Sequence, residues 1–411
     1  MPEDATFLIA GAGLAGAKAA ETLREQGFDG RIVLIGEESE RPYERPPLSK
    51  GYLLGTAERD TMYVHPRTWY ADNDVDLRLG TVVRAVDPAG HEVTLGDGTQ
   101  LSYTKLLLAT GSSPRPLPVP GADQDGVLYL RRAEDSDRIK ATLQSASRVV
   151  VIGAGWIGLE VAAAARAAGV EVTVIEAARL PLLAVLGPEV AQVFADLHRQ
   201  HGVTARFNAQ VAEITATAGR ADGVRLAGGE LLAADAVVVG IGITPNTGLA
   251  AAAGLKVDNG VVVDAQLRTS APDIHAAGDV ANAFHPLLGR SIRVEHWANA
   301  LNQPKVAAAA MLGQDVAYER VPYFFTDQYD LGMEYSGYVE PGGYDQLVFR
   351  GDVAGREFVA FWLGGGQVLA GMNVNVWDVT EAIQALVRSR ARVDAAALAD
   401  PAIPLADLAG G

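Results

Sequence analysis

The sequence predicts an α/β protein with two Rossmann-like dinucleotide-binding domains and a C-terminal α+β domain. Two observations carry that prediction. The spacing G-x-G-x-x-G occurs twice, each time between an apolar strand and a small-residue helix that leads to a second strand. After about Pro322 the pattern changes to hairpin-linked strands and one amphipathic helix. A chain of 411 residues has room for two or three such domains.

The first unit opens the chain. Phe7 to Ala10 is an apolar strand. Gly11, Gly13 and Gly16 follow, then an alanine-rich helix that Gly30 closes off. Arg31 to Ile35 is the second strand, and Glu37 stands just beyond it. Gly11 permits a tight turn, Gly13 lets backbone N–H groups approach a pyrophosphate, and Gly16 lets helix pack on strand. The helix N-terminus attracts phosphate, and an acid after the second strand accepts hydrogen bonds from a ribose. The second unit repeats this. Arg148 to Ile152 precedes Gly153, Gly155 and Gly158; the helix ends at Gly169, Val170 to Ile175 is the next strand, and Glu176 follows. Two units argue for two dinucleotides, and a flavin with a nicotinamide is the natural pair because one reduces the other.

Between and after these units the pattern is less regular. The prolines of RPYERPPLSKGYL, residues 41–53, argue against regular structure. That loop reads either as a solvated basic segment or as a cofactor cover with Lys50 aimed at the flavin. Gly96–Gly98 marks a hairpin, YTKLLLATG (103–111) is a buried strand with a small-residue turn, and the proline-rich residues 113–121 form a linker. VAEITAT and DGVRLAGGELLAADAVVV suggest antiparallel pairing. IHAAGD ends a strand at Gly278 and Asp279, with a helix start expected next. A helix is expected near Asn299–Leu312. In the last domain LVFRGD, EFVAFWLGGG and QVLAGMNVN read as three strands, and residues 380–390 as a closing helix.

Composition narrows the function. The formal net charge of −16 disfavours nucleic acid and anionic membrane surfaces as partners. No stretch reaches the ~18 apolar residues of a membrane span, and MPEDATF lacks the features of a signal peptide, so a cytoplasmic location is expected. The cysteine count is zero. That excludes dithiol relays, thiolate nucleophiles and cysteine metal sites. The seven histidines show no ligand spacing, so no metal is expected.

Taken together, these segments resemble the two-dinucleotide flavoproteins that include glutathione reductase. Within that superfamily the chain is most similar to the NADH-dependent ferredoxin reductases of oxygenase systems. The strings behind this are RPYERPPLSK (41–50), WIGLEVAA (156–163), VEHWANALNQ (294–303) and FFTDQYDLGMEYSGY (324–338). The resemblance implies an FAD domain in two segments, 1–114 and 245–321, an NAD domain at 115–244, and a C-terminal interface domain at 322–411.

The resemblance also implies residue roles. FAD would be held by Gly11, Gly13, Leu14, Ala15, Gly16 and Glu37, with Arg45 near the pyrophosphate. Val83, Thr110, Gly111, Arg131 and Gly278 would line it, Asp279 would bond the ribityl chain, and Trp297 would lie by the ring. NAD would be held by Gly153, Gly155, Trp156, Ile157, Gly158, Glu176 and Gly242. Lys50 and Glu160 would pair where nicotinamide meets flavin, and with Trp297 they are the candidate catalytic residues. Read from the residues alone, Glu160 could equally serve its helix dipole, and Asp279 could cap a helix. Glu176 favours NADH, because a carboxylate binds a ribose diol and repels a 2′-phosphate.

The expected activity is transfer of hydride from NADH to FAD and of single electrons to a [2Fe–2S] ferredoxin that feeds an oxygenase. The chain would act as a monomer or homodimer, with Arg290, Arg293, Lys305 and Arg320 as candidate docking cations. The alternatives are an NADH oxidase or quinone dehydrogenase, and a slow NAD-sensing flavoprotein.

Overall fold

The computed structural model describes residues 5–409. They fold as two compact units. The first is built from the chain up to Glu44, from Arg59–Ser113 and from Thr244–Pro322. The second takes Arg45–Glu58, Pro114–Ile243 and the chain from Tyr323 onward.

In the first unit five parallel strands lie in the order Ile274–Ala276, Lys105–Leu108, Thr6–Ala10, Arg31–Ile35, Val75–Arg78. Phe7, Leu8 and Ile9 are all fully buried, as a central parallel strand covered on both faces requires. The helix Leu14–Glu25 follows the glycine turn and lies against the helix Trp297–Met311. Alanines on both helices, among them Ala17, Ala20, Ala307 and Ala308, are buried and leave room for close approach. The hairpin expected at Gly96–Gly98 joins Glu92–Leu95 to Gln100–Ser102.

The second unit repeats the plan. Five parallel strands run Thr204–Phe207, Glu171–Glu176, Arg148–Ile152, Ala236–Val239, Val127–Tyr129. An antiparallel sheet of three strands spans Val211–Thr217, Arg220–Leu226 and Leu231–Ala233. A five-stranded antiparallel sheet then runs Tyr323–Gln328, Leu331–Gly337, Gln367–Val374, Glu357–Gly364, Gln346–Asp352. Its Phe324, Tyr335 and Trp362 share one core with Val149, Leu159 and Phe194. The buried Trp362 indole donates to the Leu186 carbonyl at 3.1 Å, in a helix whose backbone breaks at Gly187. No helix among the described residues is long and apolar enough to cross a membrane.

Four expectations need correction. Residues 41–53 are not wholly irregular: Pro46–Ser49 is a 3₁₀ turn and Gly51–Leu54 a single helical turn. Proline is tolerated at the first helical positions because no N–H bond is lost there. The C-terminal sheet has five strands rather than three, since FFTDQYDLGMEYSGY supplies Tyr323–Gln328 and Leu331–Gly337. The helix Thr380–Ser389 does not close the chain, because Ala395–Ala399 and Leu405–Leu408 follow it. No helix starts after Asp279; the strand Ala281–His285 does, which removes a helix-capping role for this carboxylate.

Candidate functional site

The glycines separate by what surrounds them. A Cβ on Gly11 would lie 2.1 Å from the Ala109 carbonyl oxygen, and its φ is +122°. A Cβ on Gly16 would lie 2.0 Å from the Gly11 oxygen. The second unit matches: Gly153 would meet the Gly240 oxygen at 2.3 Å and Gly158 the Gly153 oxygen at 2.1 Å. Those four are glycine because the protein's own backbone leaves no room. Gly13 and Gly155 differ. Nothing lies within 4 Å of the Cβ position at either, and their φ values of −90° and −79° suit any residue. The fold does not require glycine there, and the bare backbone leaves open space in which a group can bind closely. Both residues stand at the start of a 12-residue helix whose N–H groups face outward, which fits a pyrophosphate.

Around the first turn, Leu14 and Ala15 are buried and Glu37 is exposed. Gly278, with φ +81°, donates its N–H to Gln303 Oε1 at 2.9 Å. The half-buried Asp279 accepts from Ser112 Oγ at 2.9 Å. Thr110 and Asn246 exchange side-chain and backbone bonds at 2.9 and 2.8 Å, which pins the Gly111 turn. Val83 packs against the core of this unit. Burial pushes the Glu44 carboxyl above its ordinary range, against the pull of the Trp297 indole and the Lys18 ammonium. Glu44 sits inside RPYERPPLSK, yet nothing in its spacing marks it as a partner of Trp297. Burial drives the His296 imidazole down to about 4.

The second unit gathers Arg45, Lys50, Arg131, Glu160, Glu176 and Gly242. Arg45 donates to the Arg131 carbonyl, and Arg131 N–H to Asp135 Oδ2 at 2.9 Å. Gly242, with φ +99°, accepts from the Arg115 N–H at 2.9 Å. Glu176 ends its strand and accepts from the backbone N–H of Ala154 at 2.8 Å and of Ala178 at 2.9 Å. It therefore holds the glycine loop, while each oxygen keeps a lone pair for a further donor. Register sets the two acids apart. Gly11 and Gly153 donate to Ile35 and Ile175 in the same way, so Glu176 corresponds to Gly36 and not to Glu37. Trp156 packs edge-on to Phe194 at 5.6 Å and against Phe324 at 5.0 Å, and Ile157 is 44% exposed.

Lys50 and Glu160 meet directly, Nζ to Oε1 at 2.5 Å. The carboxylate is 3% exposed, and Lys50 Nζ lies 5.4 Å from the Phe325 ring centre. Two hydroxyls complete the shell: Thr326 donates to Oε1 at 2.5 Å and Ser49 to Oε2. Three donors thus converge on one buried carboxyl group. The pair is the one the resemblance implies; the two hydroxyls were not singled out, although each lies inside a string that marks the resemblance.

The model of the pyridine nucleotide-disulphide oxidoreductases matches residues 5–304, and a reductase C-terminal model matches 323–409. The chain belongs to the pyridine nucleotide-disulphide oxidoreductase family. Within it, the chain is 44% identical to the ferredoxin–NAD(+) reductase component of the anthranilate 1,2-dioxygenase system of Burkholderia cepacia, over 97% of this chain and 98% of that protein. It is 39% identical to putidaredoxin reductase of Pseudomonas putida, over 98% and 96%. Among solved structures it is similar to the covalent putidaredoxin reductase–putidaredoxin complex, with TM-score 0.95, 38% identity and 98% of each chain covered. The ferredoxin reductase from Rhodopseudomonas palustris also gives TM-score 0.95, at 38% identity, covering 99% of this chain and 100% of that one.

Proposed function

We propose that this chain is an FAD-containing, NADH-dependent ferredoxin reductase that supplies an oxygenase. The observation that carries the reading is the pair of glycine turns whose middle glycines face open space, in a family member without cysteine. Two dinucleotides are accommodated, and no dithiol can take the electrons onward. The chain-length likeness to ferredoxin–NAD(+) reductases supports the acceptor. FAD held there would supply acceptance of hydride from NADH and release of single electrons, the chemistry that a one-electron carrier needs.

The residues serve that exchange by binding and orienting. Gly11, Gly13, Leu14, Ala15 and Gly16 would receive the FAD pyrophosphate on the helix N-terminus, and Glu37 its ribose. Asp279, steadied by Ser112, would accept from the polyol chain. Val83, Thr110, Gly111 and Gly278 would line the flavin, with Trp297 beside its ring. Arg45 and Arg131 would neutralise phosphate charge. Gly153, Gly155, Gly158, Trp156, Ile157 and Gly242 would hold NADH, and Glu176 would accept from the adenosine ribose diol and repel a 2′-phosphate. Lys50, fixed by Glu160, would place a single cation where nicotinamide and flavin meet. We take segments 1–114 and 245–321 as the flavin domain, 115–244 as the nicotinamide domain and 322–411 as the interface domain. The place of action is the cytoplasm.

The test is NADH-driven cytochrome c reduction by the purified yellow protein, with and without a [2Fe–2S] ferredoxin. Stimulation of tenfold or more by ferredoxin is expected. NADH consumption in air that ignores ferredoxin would instead make the protein an oxidase, and slow turnover with every acceptor would make it a sensor.

A further inference from the structure

The Glu160 carboxylate is the end of a longer hydrogen-bonded chain inside the second unit. A carboxylate only accepts, so the single hydroxyl proton of Thr326 points at Oε1, 2.5 Å away. Thr326 Oγ1 can then only accept, and Gln328 presents Nε2 to it at 3.2 Å. The amide is thereby oriented, with its Oε1 2.8 Å from His198 Nε2. That imidazole nitrogen must carry the proton. His198 Nδ1 keeps its lone pair and faces the Tyr329 hydroxyl at 3.4 Å. Every bond donates toward Glu160.

Thr326 and Gln328 are 1% exposed and His198 is 4% exposed. Such groups are costly to bury unless each is satisfied, and apolar side chains would fill a sheet-to-helix contact as well. Charged groups flank both ends: at the far end Arg166 lies near Tyr329, and Asp330 lies 3.9 Å from His201 and pairs with Arg356. Lys50 faces Glu160, Asp327 lies close to both, and Glu334 lies near Asp327. His201 lies beside His198 and stacks on Tyr329 at 3.7 Å. Burial drives His198 down to about 4, so the ring is neutral near pH 7 as the chain requires.

We propose that Thr326, Gln328 and His198 are positioning residues that fix the Glu160 carboxylate toward Lys50 and tie it to the surface turn at Tyr329. The proposal rests on Lys50 and Glu160 forming the hydride site. It makes the C-terminal sheet part of that site's machinery.

The test uses FAD-loaded protein labelled with ¹⁵N-histidine, with the His198 signals assigned by their loss in His198→Phe. Wild type should show the neutral Nε2–H tautomer. Thr326→Val removes the donor to Glu160 and the acceptor for Gln328, so the His198 nitrogen shifts should move, and Thr326→Ser should restore them. In anaerobic flavin reduction by NADH, Thr326→Val should slow the reaction several-fold at unchanged FAD content, and Thr326→Ser should restore it. An Nδ1–H tautomer in wild type overturns the proposal, even if Thr326→Val fails to fold. If Glu160→Gln slows reduction tenfold or more while Thr326→Val changes neither the His198 shifts nor the reduction rate, the chain has no positioning role and the hydride site stands. If Glu160→Gln leaves reduction unchanged, the hydride site itself is wrong, and the positioning role falls with it.

Discussion

Gly11 and Gly13 stand two residues apart and should respond to alanine in opposite ways. Gly11→Ala places a methyl group 2.1 Å from a backbone oxygen at positive φ, and should lower stability by about 3 kcal/mol or more in thermal or denaturant unfolding. Gly13→Ala meets no protein atom and should leave the FAD-free protein equally stable, or more stable by up to about 1 kcal/mol. Its loss should appear in flavin retention, at about tenfold or more, measured as the flavin-to-protein ratio after gel filtration. Lys50→Met should retain FAD yet slow its reduction by NADH by about tenfold or more in stopped flow, because the buried cation paired with Glu160 is gone. Glu176→Gln keeps a carbonyl acceptor for the glycine loop but removes the charge. The kcat/KM preference for NADH over NADPH should fall about tenfold. The sequence showed Glu176 and Glu37 as like acids after like strands. The register that sets them one residue apart is visible only once Ile35 and Ile175 are seen to take equivalent bonds.

At the scale of elements, the strongly periodic segments were legible and the irregular ones were not. Both strand–helix–strand units follow from apolar runs flanked by glycine, and the strands Arg31–Ile35 and Arg148–Ile152 match their expected limits. The strand Tyr323–Gln328 was not read as one. It buries Phe324, Thr326 and Gln328, so two polar residues lie on its inward face and its alternation is masked. The strand Ala281–His285 stands where a helix start is expected from sequence, and the small apolar Val280, Ala281 and Ala283 suit either element. The helix Leu183–Gln200 hides a break that no proline rule locates alone. Gly187 has φ +75°, and its Cβ position is 2.0 Å from the Tyr344 hydroxyl. Gly187→Ala should cost about 2 kcal/mol in unfolding, while Gly169→Ala, also at positive φ but with nothing within 4 Å, should cost less.

For the molecule as a whole, burial of neutral histidines sets the acid limit of stability. His198 and His275 are held down at about 4 from an ordinary value of 6.5, in both cases chiefly by burial. Between those values the unfolded chain binds more protons than the folded one. Stability is therefore full above about pH 6.5 and is lost as pH falls toward 4, by roughly 3 kcal/mol for each histidine. Urea unfolding at pH 7.5 and pH 5 should show the fall, and His275→Leu should reduce it. The zero cysteine count predicts that N-ethylmaleimide leaves turnover unchanged. Electrostatic docking on a chain of charge −16 needs a local basic patch. Arg290, Lys305 and Arg320 are exposed, whereas the Arg293 side chain is 7% exposed and paired with Glu295, so it is a poor docking cation. Ferredoxin-dependent turnover should fall with added salt while flavin reduction by NADH does not.

The central claim is that electrons enter in pairs from NADH and leave singly to a ferredoxin. Anaerobic titration of NADH into a catalytic amount of the FAD-loaded protein with excess oxidised [2Fe–2S] ferredoxin tests it most directly. About two ferredoxins should be reduced for each NADH consumed. Consumption of NADH only when oxygen is admitted, with the ferredoxin still oxidised, would contradict it.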